Sequence, residues 1–268
     1  MHANIGIIIR YLFIFTIMKK LFILLMCAFA TACANSQPAP QQDLYPVEFY
    51  KTDKGGWVEL SLIYHGCVAI SYKGFDIQID PVAGRGDNAY DYSVFPKPEM
   101  IMVTHEHGDH FSAPTIESLE TEDTRIIVNQ TVFNTFQRGE VRKNGDSEQL
   151  AKGITVDYVP AYNCTPGREN FHPKGNGNGF VFDIDGLRIY VSGDTECIPE
   201  LADLKDIDVA LLSANLPYTM SVEQCIEAGK IIKPKVLIPY HLSNTDLQAI
   251  KDGLEGTGVD VHLYENLR

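Results

Sequence analysis

A short segment near the middle of the chain, Thr-His-Glu-His-Gly-Asp-His at positions 104–110, places three histidines and two carboxylates within six residues. Neutral imidazole and carboxylate are the ligands that zinc and related borderline metals prefer. In a tight loop, His105 and His107 can face one way while Asp109 and His110 face another. That arrangement gives partial coordination shells for two adjacent ions. A polar surface turn does not need this set of side chains, so the segment predicts a metal site.

The sequence on both sides of this segment predicts the elements that position it. The run from Glu99 to Thr104 is apolar and rich in strand-forming residues, which predicts a buried strand. After the segment, Ser112 is a suitable helix N-cap, and Pro114 falls in the first turn of the helix that would follow. The candidate ligands therefore lie on a loop between a strand and a helix, where α/β proteins commonly place their chemistry.

The pattern H-x-H-x-D-H resembles the metallo-β-lactamase superfamily, and it is complete here as His105, His107, Asp109 and His110. The resemblance implies an α/β fold, a four-layer αββα sandwich, with a one- or two-metal site at one edge. It extends to the strands predicted at 57–64, 67–72 and 75–79, which resemble the opening of the lactonase-like branch. In that opening, His65 either approaches the site or is a turn histidine with one hydrogen bond.

The resemblance also implies ligands farther along the chain. A Ser-Gly-Asp-Thr step at 192–195 follows a predicted hairpin whose turn is Asp185-Gly186. Asp194 matches the superfamily's bridging carboxylate, which can bond both metals of a two-metal hydrolase. His241 closes an apolar strand predicted at 235–239 and matches the last metal ligand, on the same side as His110.

The chain departs from the superfamily at Asn163, where many members carry a metal-binding histidine. Two interpretations follow: either His172, in the next loop, completes the first metal shell, or Asn163 and water do so. The Tyr-Asn and His-Pro-Lys-Gly steps here resemble a branch of metal-dependent hydrolases. Asn163, His172 and Lys174 are the candidate substrate-binding residues, and Lys174 would take an anionic group unless it is only a solvated lysine.

The N-terminal part of the chain predicts export. Residues 1–33 are predicted to be a signal segment: within it, residues 18–33 combine a basic start, an apolar core and small residues before Cys33, which is typical of a secretory signal peptide and resembles a lipoprotein signal. Met18 is a candidate for the true start, and an uncleaved membrane anchor is the alternative. Residues 34–46 read as a Pro- and Gln-rich linker, and 47–268 as the metallo-hydrolase domain. We expect a periplasmic or outer-surface lipoprotein of a bacterial envelope, with a lipid anchor holding it to the membrane.

The composition narrows the classes of partner. The chain has 22 basic and 35 acidic residues, and removal of residues 1–33 would change the net charge from −13 to −16, because Arg10, Lys19 and Lys20 are lost. Such an acidic protein is a poor candidate for binding nucleic acid, which requires phosphate-neutralising cations. Four cysteines follow residue 33, and their irregular spacing favours buried free thiols over disulfides. The residues do not predict an oligomeric state.

The function that these patterns favour is metal-assisted hydrolysis. One ion would be held by His105, His107 and Asp194, with His172 as a candidate fourth ligand, and the other would be held by the following residues: Asp109, His110, Asp194 and His241. Zinc is the expected metal, with manganese and iron as alternatives. Asp109 would act as the catalytic group by holding or accepting the proton of water. No G-x-S-x-G nucleophile motif occurs in the sequence.

The resemblance favours a lactone or a phosphodiester as substrate, in a small molecule or a lipid. The second hypothesis is a non-catalytic envelope lipoprotein that binds a metal or another ligand on the same scaffold. A β-lactamase is the third, and the asparagine at position 163 weighs against it.

Overall fold

The computed structural model of the protein describes residues 44–84 and 90–268. The predicted signal peptide at 1–33 with its alternative start at Met18 and most of the predicted linker lie outside the described residues, and so do residues 85–89. Within the described residues, no helix combines the length and hydrophobicity that crossing a bilayer requires.

Two seven-stranded sheets form the centre of the domain, and each follows chain order from one edge to the other. The first sheet consists of β1 (Val47–Lys51), β2 (Trp57–Tyr64), β3 (Cys67–Tyr72), β4 (Phe75–Ile79), β5 (Met100–Met102), β6 (Arg125–Val128) and β7 (Glu140–Val141). The second consists of β8 (Ser147–Ala151), β9 (Ile154–Ala161), β10 (Gly177–Ile184), β11 (Leu187–Val191), β12 (Val209–Ser213), β13 (Val236–Tyr240) and β14 (Asp260–Val261). The described α-helices are α1 (Ala113–Leu119), α2 (Gln130–Phe136), α3 (Val222–Ile232) and α4 (Leu247–Gly253).

The alternation of side chains along the strands produces the layers. In β5, Met100 and Met102 belong to the core between the sheets, while Ile101 belongs to a second core that also contains Ile116 of α1. Successive strand residues point to opposite faces of a sheet, so apolar residues on both faces require cover on both sides. Helix α3 buries Cys225 and Ala228 in the core that the second sheet shares. The four-layer αββα sandwich predicted from the sequence is confirmed.

Helix starts follow the capping rules that the sequence indicates. The Ser112 hydroxyl accepts from the backbone N–H of Thr115 at the start of α1, as predicted. Helix α3 starts with a full capping box, because Ser221 and Gln224 each satisfy a backbone N–H of the other. These caps fix where the loops after β5 and β12 end, and therefore how far the site loops extend.

Ion pairs join the two sheets at both edges of the sandwich. At one edge, Arg125 of β6 lies 2.9 Å from Glu148 of β8. At the other edge, the His262 ring lies 2.6 Å from Glu48 of β1. The contact of His262 with Glu48 agrees with the structural role that the strand-like alternation around this residue predicts. The two sheets are held in line with each other, and this alignment brings the ends of their strands together.

The direction of the strands explains where the loops gather. Strands β4, β5 and β6 are parallel, and so are β11, β12 and β13. The carboxyl ends of parallel strands lie at the same edge of a sheet. The loops that carry the candidate ligands follow β5, β9, β11 and β13, so the topology places them at one edge of the sandwich.

The edge strands differ most from the sequence prediction. The alternation at 259–264 predicts a final strand, but β14 pairs with β13 through only two residues, and the chain then turns to bury Leu267. Strand β7 lies within residues 138–145, where the polar sequence predicts a hairpin or a loop, because two residues carry no periodic signal. The four cysteines are free, as expected, but only Cys67 and Cys225 are buried, while Cys164 is exposed.

Candidate metal centre

The segment 105–110 forms a tight turn between β5 and α1, as its flanking sequence predicts. The backbone N–H groups of His110 and Phe111 both donate to the carbonyl of His107, at 2.9 and 2.8 Å. This turn buries His105 and His110 and leaves the Asp109 side chain half exposed. The loop therefore directs some ligands into the protein and one towards solvent.

Three imidazoles and a carboxylate form the first donor group. His107 Nδ1 lies 3.0 Å from His105 Nε2 and 3.2 Å from His172 Nε2. Asp194 Oδ2 lies 3.2 Å from His172 Nε2 and 3.9 Å from His105 Nε2. Four ligands arranged tetrahedrally around zinc at bonds of about 2.0–2.1 Å lie about 3.3 Å apart. The spacing of this group therefore matches a tetrahedral ion.

The second donor group shares Asp194 with the first. His241 Nε2 lies 3.2 Å from Asp194 Oδ2 and 3.4 Å from Asp109 Oδ2. His110 Nε2 lies 3.4 Å from Asp194 Oδ1 and 3.9 Å from Asp109 Oδ2. Two imidazoles and two carboxylates are a suitable donor set for zinc, manganese or iron. The structure thus brings together all six residues predicted as metal ligands, and it places His172, the candidate fourth ligand, in the first group.

Unsatisfied polar atoms test whether this group fits a cation. Among the described residues, His110 Nε2, His241 Nε2 and Asp194 Oδ1 are buried and form no hydrogen bond. Leaving a buried polar atom without a partner costs free energy comparable to a lost hydrogen bond. A metal ion would satisfy these atoms, so the residues of the two donor groups fit the metal that the sequence implies.

Asn163 contacts His172, and the structure places the His172 ring, one of the two candidates from the sequence, beside the other donors of the first group. The amide of Asn163 donates to the Tyr218 carbonyl at 2.7 Å, and its Oδ1 lies 3.3 Å from His172 Nδ1. His172 Nδ1 also lies 3.1 Å from the Tyr218 carbonyl. Because both neighbours of Nδ1 are acceptors, this nitrogen carries the proton, and Nε2 is free to bind a cation.

Asp80 is a functional residue that sequence reasoning missed. Its carboxylate is buried and accepts from the backbone N–H and the hydroxyl of Thr104, both at 2.7 Å, and lies 2.7 Å from His110 Nδ1. The Thr104 hydroxyl in turn lies 2.9 Å from His105 Nδ1. Asp80 therefore orients one histidine of each donor group. The available signal was an acidic residue directly after a buried strand and before Pro81.

His65 approaches the second donor group from the turn between β2 and β3. Its Nε2 lies 3.4 Å from Asp109 Oδ2, and its ring centroid is 3.8 Å from that of His241. His65, Asp80 and His241 have φ values of 47°, 49° and 52°, which non-glycine residues rarely adopt. Such backbone strain concentrates at functional sites. Gly66 is required here, since a Cβ would lie 2.7 Å from the His110 ring.

Burial and charge set the protonation of the site. Burial lowers the pKa values of His105, His107 and His241, which favours the neutral form that binds metal. Burial would lower the pKa of His110 too, but the carboxylates of Asp194 and Asp80 raise it well above its usual value. Burial would raise the pKa of Asp194, but His241 and His110 hold it well below the usual range. The shared carboxylate is therefore an anion that requires positive charge beside it.

Lys174 and Glu106 form their contacts outside the two donor groups. Lys174 was predicted to bind an anionic group of the substrate, but its ammonium pairs with Glu200 at 2.8 Å and donates to the Tyr162 hydroxyl at 3.0 Å. Its charge is balanced there, outside the two donor groups. The carboxylate of Glu106, inside the motif, accepts from the Asn176 side chain at 2.9 Å and is not a donor to either group.

The sequence model of the beta-lactamase superfamily domain matches residues 59–241, which include both donor groups. The chain belongs to the metallo-β-lactamase superfamily. A UPF0173 metal-dependent hydrolase from Thermoplasma acidophilum is 32% identical over 202 residues, which cover 70% of this chain and 85% of the relative. A second UPF0173 metal-dependent hydrolase, from Archaeoglobus fulgidus, is 28% identical over 201 residues, covering 70% of this chain and 87% of the relative.

Solved structures support the same fold. A candidate metal-dependent hydrolase from Parabacteroides distasonis is 42% identical, with a TM-score of 0.79, and the match covers 82% of this chain and 99% of that chain. Igni18, a metallo hydrolase from Ignicoccus hospitalis, is 22% identical with a TM-score of 0.63, over 79% of this chain and 96% of its own. The metallo-β-lactamase fold predicted from the motif is confirmed, and the relatives' names and the donor groups together support a metal-dependent hydrolase.

Proposed function

We propose that the domain is a hydrolase that activates water at a one- or two-metal site and cleaves a lactone, an ester or a phosphodiester. The observation that carries this proposal is the shared carboxylate: Asp194 Oδ2 lies 3.2 Å from both His172 Nε2 and His241 Nε2. A carboxylate between two donor groups is what a two-metal hydrolase requires. The names of the similar proteins support the reaction class.

Seven residues would hold the metal. The first ion would be held by His105, His107, His172 and Asp194; the second would be held by Asp109, His110, His241 and Asp194. When bound, such ions lower the pKa of water and stabilise negative charge on a carbonyl or phosphoryl oxygen. Zinc is the metal we propose, because imidazole dominates the first group, and manganese and iron are the alternatives.

Asp109 is the residue best placed to manage the proton of water. Burial would raise its pKa, but His241 and His65 hold the carboxyl well below its usual range. It is therefore a carboxylate at neutral pH, and its half-exposed side chain can accept a hydrogen bond from water. His65 and His241 both contact Oδ2 of Asp109 at 3.4 Å and so restrict the orientation of its carboxylate.

We further propose that the protein is exported and attached to the bacterial envelope through Cys33, on the evidence of the sequence at 18–33. Its substrate is then a small molecule or lipid that reaches the envelope, and the acidic composition disfavours nucleic acid. The mass of the mature protein tests this proposal, since cleavage before a lipidated Cys33 removes residues 1–32 and adds the mass of the lipid, whereas an intact residue 1 contradicts it.

Metal content and a substrate panel test the proposed function. The protein is loaded with zinc, its metal is measured by mass spectrometry, and a lactone, bis(p-nitrophenyl) phosphate and nitrocefin are assayed. We expect one or two ions per chain and cleavage of the lactone or the diester. His107→Ala removes a donor from the first group, and His262→Ala is the matched control, because His262 contacts Glu48 and Asp260 instead. Bound metal without turnover of any substrate supports the non-catalytic alternative, and cleavage of nitrocefin alone supports a β-lactamase.

A further inference from the structure

A cleft of about 780 Å³ opens beside the second donor group. Asp109 and His65 form one end of it. The remaining described wall comes from the turn after β2, the segment after β4 and the start of α1. The volume lies within the range of about 300–1,000 Å³ typical of small-molecule sites. Because Asp109 also contacts His241, the cleft leads directly from the donor group that we expect to face the substrate.

The wall of the cleft away from the ligands is largely apolar. Its side chains are aromatic rings and short aliphatic groups: Tyr64, Val82, Ala83, Tyr90, Phe111 and Pro114. The rings of Tyr64 and Tyr90 are stacked with centroids 4.3 Å apart, and the ring of Phe111 packs on Phe136 at 5.4 Å. Fixed ring faces of this kind offer large contact area for apolar groups.

The Thr115 hydroxyl at the border of the cleft is already engaged within the protein, both as a donor and as an acceptor. Thr115 Oγ1 accepts from the Ala83 backbone N–H at 3.1 Å and donates to Ser112 Oγ at 2.8 Å. Ser112 Oγ also accepts from the Thr115 backbone N–H. A ligand in the cleft therefore gains little from a hydrogen bond to Thr115, and the larger gain comes from covering the apolar side chains of the wall.

We propose that this cleft binds the apolar acyl chain of a carboxylic ester or lactone, with the carbonyl at the end formed by Asp109 and His65. The inference rests on the proposed function and gives it a substrate class: a neutral ester with an apolar chain, preferred over a phosphodiester. The reaction adds water across the acyl–oxygen bond. The carbonyl carbon gains the hydroxyl and the leaving oxygen gains the proton, and the resulting carboxylic acid then releases its own proton to solvent, so that the chain leaves as a carboxylate.

Binding of product analogues tests the cleft without any turnover. Linear carboxylates from acetate to octanoate are titrated into the zinc-loaded protein in a calorimeter. We expect Kd to fall about three- to fourfold for each added methylene, which is the gain for burying a CH₂ group. A Kd that does not change with chain length overturns the inference. Octanoate presented free and as a phosphatidylcholine acyl chain in vesicles distinguishes a soluble ligand from a lipid source.

Two cleft variants test whether the tighter binding of longer carboxylates depends on this cleft. Ala113→Phe fills space at the start of α1, so the ratio of acetate to octanoate Kd should fall from wild type by tenfold or more, on the order of two methylenes lost. Ser118→Phe places the same ring on an exposed position of the same helix, outside the cleft, and should keep the wild-type ratio. Tyr90→Ala opens the half-buried stack and should also lower the ratio. Octanoate binding equal to wild type in both cleft variants overturns the inference.

The same acyl series assayed as esters separates this inference from the proposed function. If short esters are cleaved and chain length has no effect on KM, the cleft proposal fails while the hydrolase stands. If octanoate binds with the expected gain and no ester, lactone or phosphodiester is cleaved, the proposed function fails while the cleft stands as a binding site.

Discussion

Two clusters of ionisable side chains in this protein differ in how their charges are balanced. In the arginine–glutamate network, which joins β6–β7 to β8–β9, Arg125 and Arg142 contact Glu140 and Glu148 at 2.7–2.9 Å, and Tyr158 donates to Glu148. Every charge there meets an opposite charge. In the two donor groups, by contrast, imidazoles surround two carboxylates, and three of the converging atoms are buried with no hydrogen bond.

Whether the polar atoms of a cluster are all satisfied therefore distinguishes a structural cluster from a functional one. The network is complete without any added group, so its contribution is to hold the edges of two sheets together. The carboxylates of the donor groups require a positive charge from outside the protein, because burial lowers the pKa values of His105, His107 and His241 and so keeps these imidazoles neutral. Variants in each cluster should therefore change different quantities: metal affinity in the donor groups, and stability in the network.

The largest effect is expected at the carboxylate that both donor groups share. Asp194→Asn should lower zinc affinity by more than about 100-fold and abolish hydrolysis, because a neutral amide cannot balance two cations. Metal content after dialysis against a weak chelator measures the change. The control is Asp183→Asn, since that half-exposed carboxylate lies 3.7 Å from Arg188 and outside the donor groups. Full zinc occupancy in the Asp194 variant would contradict the shared-ligand assignment.

A smaller effect is expected from the carboxylate behind the ligands. Asp80→Asn should weaken zinc binding by about 10–100-fold, the usual range for a partner of a metal-binding histidine. His110 would lose its acceptor at 2.7 Å, and the Thr104 hydroxyl that contacts His105 would be reoriented. Competition with a chromophoric chelator gives the affinity, and circular dichroism verifies folding. A folded variant with unchanged affinity would show that Asp80 serves only the fold.

A third variant distinguishes the two donor groups from each other. Asn163→Ala removes one of the two acceptors at His172 Nδ1, so the first ion should bind about tenfold more weakly while the second keeps its affinity. Cobalt substitution allows the two ions to be followed separately by absorption. Cys164→Ser, at the next and exposed position, is the control. Equal weakening of both ions would mean that the two groups are not independent.

The parts of the site that the sequence predicted are those with a local pattern. The ligands at 105–110 are contiguous, and Asp194 and His241 each end a strongly apolar strand, so a motif and its strand locate them. The role of His172 could not be predicted in this way. It depends on the Tyr218 carbonyl, 46 residues farther along the chain, and on a side chain of another loop. Asp80 escaped notice because its partners Thr104 and His110 lie 24 and 30 residues away.

The strands likewise separate into those that a local sequence pattern predicts and those that it does not. Strands with full alternation, such as β3 with Val68, Ala69 and Ile70 in alternate cores, were predicted at their correct positions. The edge strands β1, β7 and β8 escaped prediction, because they are short or half-exposed and pair with one neighbour only. Their place is set by contacts between distant segments, among which the arginine–glutamate network is the clearest example.

The smallest effect is expected from a variant of the arginine–glutamate network, where stability should change and metal affinity should not. Burial would raise the pKa of Glu148, but Arg142 and Arg125 outweigh it and hold the pKa at about 2. Because the value lies below the unfolded pKa of about 4.3, the stabilisation is present above pH 4.3 and is lost as pH falls towards 2. Glu148→Gln should cost about 1 kcal/mol at pH 7, a value discounted for partial exposure, and nothing near pH 2.

Urea unfolding across this pH range measures the difference, with Glu265→Gln at an exposed ion pair as the control. Zinc affinity should equal that of wild type in both variants, because a complete network has no unsatisfied donor to offer a cation. A loss of zinc in Glu148→Gln would mean that the edge of the sandwich and the metal edge are coupled, and that the two clusters do not act separately. A pH-independent cost would instead assign the contribution of Glu148 to packing of its side chain.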